Sequence, residues 1–261
     1  DEDEAIDVEI WFMDGDGDGY GNGAVFEEDC YQPNGFADNA DDCNDADANA
    51  YPGAVETFDS VDNNCDGLYD EGALPADAVV ITEIMQNPDL VLDEDGEWFE
   101  VYNNTALPLN LIGMVVYDLG SNLFTVDQDL WVQPDTHVVL GANDDIGLNG
   151  GAPVDYVWDE FNLSNGDDEI ILEHGPDVLD GVEYTGANPW PDPTGASMSL
   201  DPMAYDNGLN DDAANWCDAP TTFGLGDGGS PGDINVTCCP DFDGDGFLDA
   251  SCGFDDCDDT D

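Results

Sequence analysis

Alternating carboxylates are the residues of this chain whose types and spacing best suit chemistry. DGDGDGYGN (14–22) places Asp14, Asp16 and Asp18 at every second position, with glycines between them. That spacing lets a backbone curl round one ion while each second side chain points inward. Gly19 permits the tight turn, the Tyr20 carbonyl supplies another oxygen, and Asn22 follows two residues on. These are positions 1, 3, 5, 7 and 9 of the EF-hand ligand scheme. Position 12 is Val25 rather than Glu, so a true EF-hand is excluded. The bidentate carboxylate must come from elsewhere, with Glu27, Glu28 and the Asp41-Asp42 pair as candidates.

DNNCDGLYD (62–70) repeats the scheme with Asp62, Asn64, Asp66, the Leu68 carbonyl and Asp70. DFDGDGFLD (241–249) repeats it with Asp241, Asp243, Asp245, the Phe247 carbonyl and Asp249. Asp42, Asp45, Asp47 and Glu56 suggest a further site between the first two loops. Solvated acidic loops are the bland alternative. Three loops in register, each with glycine at the sixth position, favour calcium. Magnesium prefers fewer carboxylates and keeps its waters.

The chain has 261 residues, 64 of them Asp or Glu, and no Lys or Arg. At ordinary usage roughly thirty basic residues would be present. A formal net charge of −64 repels itself unless counterions are bound or the salt is high. Acidic chains are often disordered, but those are poor in aromatic and β-branched residues. Here 41% of residues are hydrophobic and 10% aromatic, which supports a real core. Cations from solution therefore belong to the folded state. Nucleic acid and anionic membrane are excluded as partners, since phosphate binding leans on Lys and Arg.

Eight cysteines (30, 43, 65, 217, 238, 239, 252 and 257) accompany the oxygen-rich motifs. An even count of this kind favours disulfides outside the cell. Zinc would want CxxC or Cys/His clusters, whereas His137 and His174 stand alone. No apolar run approaches the ~20 residues of a membrane span, and without a signal peptide the chain reads as already processed. Sequons at Asn103, Asn162 and Asn235 are candidate glycan acceptors.

The elements that must position these residues change character along the chain. After an acidic leader, Ile6, Val8, Ile10 and Phe12 alternate with Asp7, Glu9 and Trp11, the period of a half-buried strand. Residues 1–13 are read as leader and strand, 14–72 as a loop-rich metal module, and 73–77 as a linker. From Ala78 onwards, VVITEIMQN (79–87), EWFEVYN (97–103), LIGMVVYD (111–118), HVVLG (137–141), EIILEH (169–174), VEY (182–184) and SMSLD (197–201) read as short strands. Asn149-Gly150, Asn165-Gly166 and Asp180-Gly181 read as turns between them. This pattern predicts an antiparallel sandwich or barrel over 78–237. Residues 238–261 return to Asp-Gly character and align with the start of the first motif, as a half copy.

Residues 14–72 resemble MopE-type metal-binding repeats of bacterial surface and secreted proteins. The resemblance rests on DGDGDGYG, Cys30, QPNGF, DDCNDAD, YPGAVE and DNNCDGLYDEG. Phe58 stands where such repeats usually carry a cysteine, which leaves Cys65 without its usual neighbour. Residues 241–261 resemble the beginning of the same repeat, or of a thrombospondin type 3-like calcium repeat. Residues 78–235 resemble the lamin tail domain through VVITEIMQNP, EWFEVYNN, LNLIGMVVYD, LSNGDDEIILEH, GVEY, SMSL, NWCDAP and SPGDIN. That resemblance implies an immunoglobulin-like β-sandwich, so the fold class is all-β with calcium-binding, disulfide-containing modules on either side. In secreted bacterial proteins such domains often accompany enzymes, but the two resemblances leave no room here for a catalytic domain.

Glycosidase-like pairs (Asp93/Glu97, Glu97/Glu100) are expected by chance among so many acids, and Glu97, Trp98 and Glu100 match the lamin tail EWxE signature. No serine sits in a GxSxG-like turn near either histidine. Trp131, Trp158 and Trp190 are read as packing residues rather than a sugar-binding face. The expectation is a non-enzymatic extracellular or cell-surface protein stabilised by Ca2+, a structural subunit that self-assembles. The alternatives are an adhesin holding a glycan or surface partner, and an accessory region of a secreted enzyme. Matching places in the two repeat copies predict Cys30–Cys43 and Cys252–Cys257, with Cys217 bonded to Cys238 or Cys239. Strand 6–12 has no obvious hairpin partner, which predicts a head-to-tail homopolymer through strand addition.

Overall fold

The computed structural model describes residues 8–59, 61–67, 69–70, 72–175 and 177–238. They form two compact units that divide between Leu74 and Pro75. The ligand set of the third loop (Asp241, Asp243, Asp245, Phe247 and Asp249) lies outside the described residues, as do Cys239, Cys252, Cys257 and Leu68.

In the first unit, β1 (Glu9–Met13), β2 (Asn22–Asp29) and β3 (Phe36–Ala37) form a sheet in the order β2-β1-β3. Both pairings are antiparallel, and Phe12 faces Phe26 on one side and Ala37 on the other. This corrects the expectation of a strand without a hairpin partner: β1 is the middle strand of its own unit's sheet, paired along its length with β2 and through Phe12 and Met13 with β3. The alternation does not produce a half-buried face either. Ile10 is 50% exposed, because this unit offers little to cover it: Ala37, Ala50 and Leu74 are its only buried hydrophobic side chains among the described residues. A disulfide joins Cys43 to Cys65, with Cα atoms 5.6 Å apart. The predicted Cys30–Cys43 bond is therefore wrong. Repeat alignment put Cys43 beside Cys30, whereas the fold brings the second metal loop to Cys43.

The second unit carries β4 (Val79–Met85), a single helical turn α1 (Asp93–Gly96), β5 (Trp98–Asn103), β6 (Leu109–Asn110), β7 (Val115–Tyr117), β8 (Leu123–Thr125), β9 (Trp131–Val132), β10 (His137–Gly141), β11 (Tyr156–Val157), β12 (Asp168–His174), β13 (Asp177–Tyr184), β14 (Met198–Leu200) and β15 (Trp216–Asp218). One sheet runs β11-β10-β5-β4-β14-β15 and the other β13-β12-β7-β8, with β6 and β9 as a separate pair. The fold is all-β and consistent with the immunoglobulin-like sandwich. Aromatic rings link the sheets: Trp158 stacks on Phe99 of β5 at 5.7 Å and lies 6.0 Å from Phe124 of β8. Cys217–Cys238 closes the unit's exit.

The long apolar runs were legible, and β4, β5, β10 and β12 fall where expected. LIGMVVYD was not one strand: Gly113 (φ 85°) turns the chain, and only Val115–Tyr117 is extended. Asp180-Gly181 is not a turn but the interior of β13. Asp180 is buried there and accepts the Ile81 amide of β4 at 2.6 Å.

Glu83, Glu97, Glu100 and Asp180 are all buried in a unit without Lys or Arg. Neutral donors replace the missing cations. Glu83 accepts from the Ser197 hydroxyl and the Ser230 amide, and Glu100 from Thr82 Oγ1 at 2.8 Å and the Gly232 amide at 2.6 Å. Glu97 accepts the Leu163 amide at 2.9 Å. His137 lies 3.8 Å from Glu100, but burial holds it down at about 4, so it brings no charge. Burial pushes Glu97 up to about 8 and Glu83 up to about 7, and burial with the nearby Glu83 charge raises Glu100.

Asn103 and Asn235 are buried, with both side-chain amides donating to main-chain carbonyls, which closes those sequons to glycans in the folded chain. Asn162 is exposed. No helix of the described residues is long and apolar enough to cross a membrane.

The raised carboxyls fix a sign. Between the ordinary carboxyl range and about pH 8 the raised carboxyls Glu83, Glu97, Glu100 and Asp180 hold protons that the unfolded chain has lost, which outweighs the one proton that buried His137 forgoes below 6.5; the Glu97 contribution is full below about 4.5 and lost as pH rises through 8. In chelator at constant ionic strength, near-ultraviolet circular dichroism should show the sandwich melting at a higher temperature at pH 5 than at pH 8. A melting temperature that climbs over that range would contradict the buried-acid account.

Candidate metal centre

The first loop folds on its own carboxylates. Asp14 accepts the amides of Gly17 (2.7 Å) and Gly19 (3.3 Å), Asp16 Oδ1 that of Asp18 (3.2 Å), and Asp18 Oδ1 that of Tyr20 (2.8 Å). These turns leave Gly15, Gly17 and Gly19 exposed and the three carboxylates half-buried. Gly19 has φ 97°, the left-handed conformation that favours glycine. Oxygens of Asp14, Asp16 and Asp18 lie within 4.8 Å of one another.

Two further carboxylates arrive from the next segment. The Asp42 amide donates to the Gly21 carbonyl at 3.2 Å, which pins Asp42 beside the end of the loop. Asp45 Oδ1 accepts the Gly15 amide at 2.6 Å. A Cβ on Gly15 would stand 2.7 Å from the Asp45 carbonyl oxygen, so only glycine permits this approach. Oδ2 of Asp16, Asp18 and Asp42 is in each case buried and has no hydrogen-bond partner among the described residues. Burial raises the Asp18 carboxyl, and repulsion from Asp16, Asp14 and Asp45 adds to it. Burial likewise raises Asp42, with Asp18, Asp16 and Asp45 as its repelling neighbours. Asp42 and Asp45 therefore add negative charge beside the three loop carboxylates, and the chain has no Lys or Arg to offset it.

The structure thus divides the group formed by Asp42, Asp45, Asp47 and Glu56. The first two join the first loop. Asp47 Oδ1 instead accepts the Asn49 amide at 3.1 Å. Glu56 braces the second loop, accepting the amides of Asn64 (2.6 Å) and Asp70 (3.2 Å). Asp41 forms a backbone bridge with Asn22, whose Oδ1 accepts the Ala24 amide, while Glu27 and Glu28 are exposed on β2. The Tyr20 ring stacks on Tyr51 with centroids 5.5 Å apart. Asn39 was missed by sequence reasoning: it spans the loop by donating to the Gly19 carbonyl and accepting from the Gly21 amide.

The second loop repeats the first. Asp62 accepts the amides of Asp66 (3.1 Å) and Gly67 (2.9 Å), Asn64 Oδ1 also accepts that of Asp66, and Gly67 has φ 94°. Asp70 Oδ1 accepts the Asp59 amide at 2.8 Å. Cys43 and Cys65 lie close to Asp42, but their sulfurs are bonded to each other and offer no thiolate.

Residues 42–71 match the Cu-binding MopE family model, described as "Putative metal-binding motif", and residues 73–186 match that of the Lamin Tail Domain. No curated protein matches the chain. The first match takes in the second loop, Asp42 and Asp45 but not Asp14, Asp16 and Asp18. The second ends before β14, which pairs with β4, and β15.

Calorimetric titration of single variants tests this partition. Asp42→Asn and Asp45→Asn should each weaken the first site about tenfold or more, while Asp47→Asn leaves it unchanged. Equal effects at all three positions would mean that the loop binds without the second segment.

Proposed function

We propose that this chain, a metal-binding motif followed by a lamin tail domain, is a non-catalytic extracellular module whose first unit is held folded by calcium. The observation that carries the reading is the set of buried, partnerless oxygens of Asp16, Asp18 and Asp42. Each unpaired buried acceptor costs about 1–3 kcal/mol, more when charged, and one cation removes all three deficits. The unit's small core makes such a ligand part of its folding free energy.

Calcium suits the donors. They are carboxylate, amide and carbonyl oxygens in a flexible loop, whereas copper favours imidazole and soft sulfur. The name of the matched motif speaks of copper, yet both histidines lie in the other unit and the Cys43 and Cys65 sulfurs are bonded. Two disulfides support an oxidising, extracellular setting.

The non-catalytic reading is supported by the other work done by the candidate catalytic groups. Glu100 is tied to Thr82 and Gly232, His137 is buried and neutral, and His174 Nε2 sits 3.3 Å from the Ile112 carbonyl. Trp158 is buried, and Trp190 packs on Trp216. Asp93 and Glu97 do line one cleft, but Glu97 is occupied with Leu163. Assembly of copies is the finer reading. Since β1 is internal, strand addition would use an edge strand, and on β2, the longer of the two, Glu27, Glu28 and Asp29 oppose a second acidic edge.

Calcium at a hundredfold over its Kd stabilises by about 2.7 kcal/mol, or roughly 10–20 °C for a unit of this size. Removing it with EGTA should lower the first unit's melting temperature by that amount and open 14–72 to an acid-specific protease. Calcium should reverse both effects and copper neither. A first unit indifferent to EGTA, or rescued only by copper, would refute the proposal.

A further inference from the structure

The sandwich contains a second set of oxygens without donors, apart from the Asp-Gly loops. Asp180 is 3% exposed, and Asn210 is fully buried. Asp180 Oδ2 accepts from the Ile81 amide and from Asn210 Nδ2 (2.8 Å), and the Gly181 amide lies against the same carboxyl, but no well-formed hydrogen bond reaches Asp180 Oδ1 among the described residues. Asn210 Oδ1 and Asn207 Oδ1 are likewise buried and partnerless. Neither amide can be turned over to cure this. Asn207 Nδ2 donates to the carbonyls of Val79 (2.8 Å) and Leu179 (2.6 Å), and Asn210 Nδ2 faces Asp180 Oδ2 and the Ile81 carbonyl. A flip would set oxygen against oxygen in each case. Asp180, Asn207 and the exposed Asp211 line one cleft of about 500 Å³. The Asp211 charge also acts on Asp180, which burial already pushes up to about 7.

We propose that this end of the cleft is a cation site in its own right, taking one calcium ion between Asp180 Oδ1, Asn207 Oδ1 and the Asp211 carboxylate, with Asn210 holding Asp180 from behind. The two carboxylates balance a divalent charge, and amide oxygens are hard donors of the kind calcium accepts. A buried water is the competing occupant, but it has two hydrogens for three acceptors and offsets no charge. A proton on Asp180 satisfies one neighbour and leaves the remaining amide oxygen unpaired. A cation here ties β4, β13 and the 206–211 segment together in a chain that has no Lys or Arg to do so. The site does not depend on the loop reading of the first unit.

The test is a CaCl2 titration of the 15N-labelled full chain, starting from EGTA, followed through the side-chain amide signals of Asn207 and Asn210. Both should move together to saturation with a single Kd. Asp211→Asn, at an exposed position, should weaken that Kd about tenfold while the backbone signals of Gly15, Gly17 and Gly19 keep theirs. Asp180→Asn should abolish the response, and if that variant does not fold, Asp211→Asn decides alone. Asparagine signals that stay put at saturating calcium, or a Kd indifferent to Asp211→Asn, would overturn the proposal and leave the place to water or a proton. Signals that move while the loop glycines stay silent would support this site and refute the loop reading instead.

Discussion

A polypeptide with 64 carboxyl groups and no Lys or Arg has no internal way to neutralise a buried negative charge. Taking an ionised carboxylate out of water is costly unless something compensates it. The usual compensation is a salt bridge, and here only N–H, O–H, a proton or a solute cation remains. Much of the architecture follows from which of these serves each buried acid.

The two units differ in that choice. The sandwich has a substantial apolar core, and its buried acids sit where main-chain amides and hydroxyls point. Glu83 holds the Ser230 turn and Glu100 the Gly232 turn, so the two acids fasten the closing SPGDIN segment onto β4 and β5. These donors pull each carboxyl down but do not cancel the effect of burial, which leaves it raised, and a proton completes the balance. The first unit has almost no apolar core. Asp16, Asp18 and Asp42 each spend one oxygen on a main-chain amide and keep the other buried without a partner among the described residues. Protons alone would leave five acids crowded together; a divalent cation relieves repulsion and hydrogen-bond deficit at once.

The legibility of these features differed for physical reasons. Alternating Asp-Gly spacing is a local signal, and both described loops curl as the spacing predicts, with Gly19 and Gly67 left-handed. The apolar runs of β4, β5, β10 and β12 are equally local. What the sequence hid was long-range. Nothing near Asp42 or Asp45 says that they close the 14–20 loop rather than a site of their own. The Asp180-Gly181 pair has turn chemistry, yet a hydrogen bond to Ile81, 99 residues away, holds it within a strand. Repeat logic likewise paired Cys43 with its neighbour Cys30, whereas the bond goes to Cys65. Of the alternation at 6–12, Glu9–Phe12 do lie in a strand, but its partners, β2 and β3, lie within stretches read as loop.

The central claim is that one cation gathers carboxylates from two separate segments of the first unit. Anomalous diffraction from crystals grown with terbium in place of calcium tests it most directly. The account predicts one strong peak about 2.3–2.6 Å from oxygens of Asp14, Asp16, Asp18, Asp42 and Asp45. A peak held by the 14–20 loop alone, with Asp42 and Asp45 turned away, or no peak at all, would contradict it.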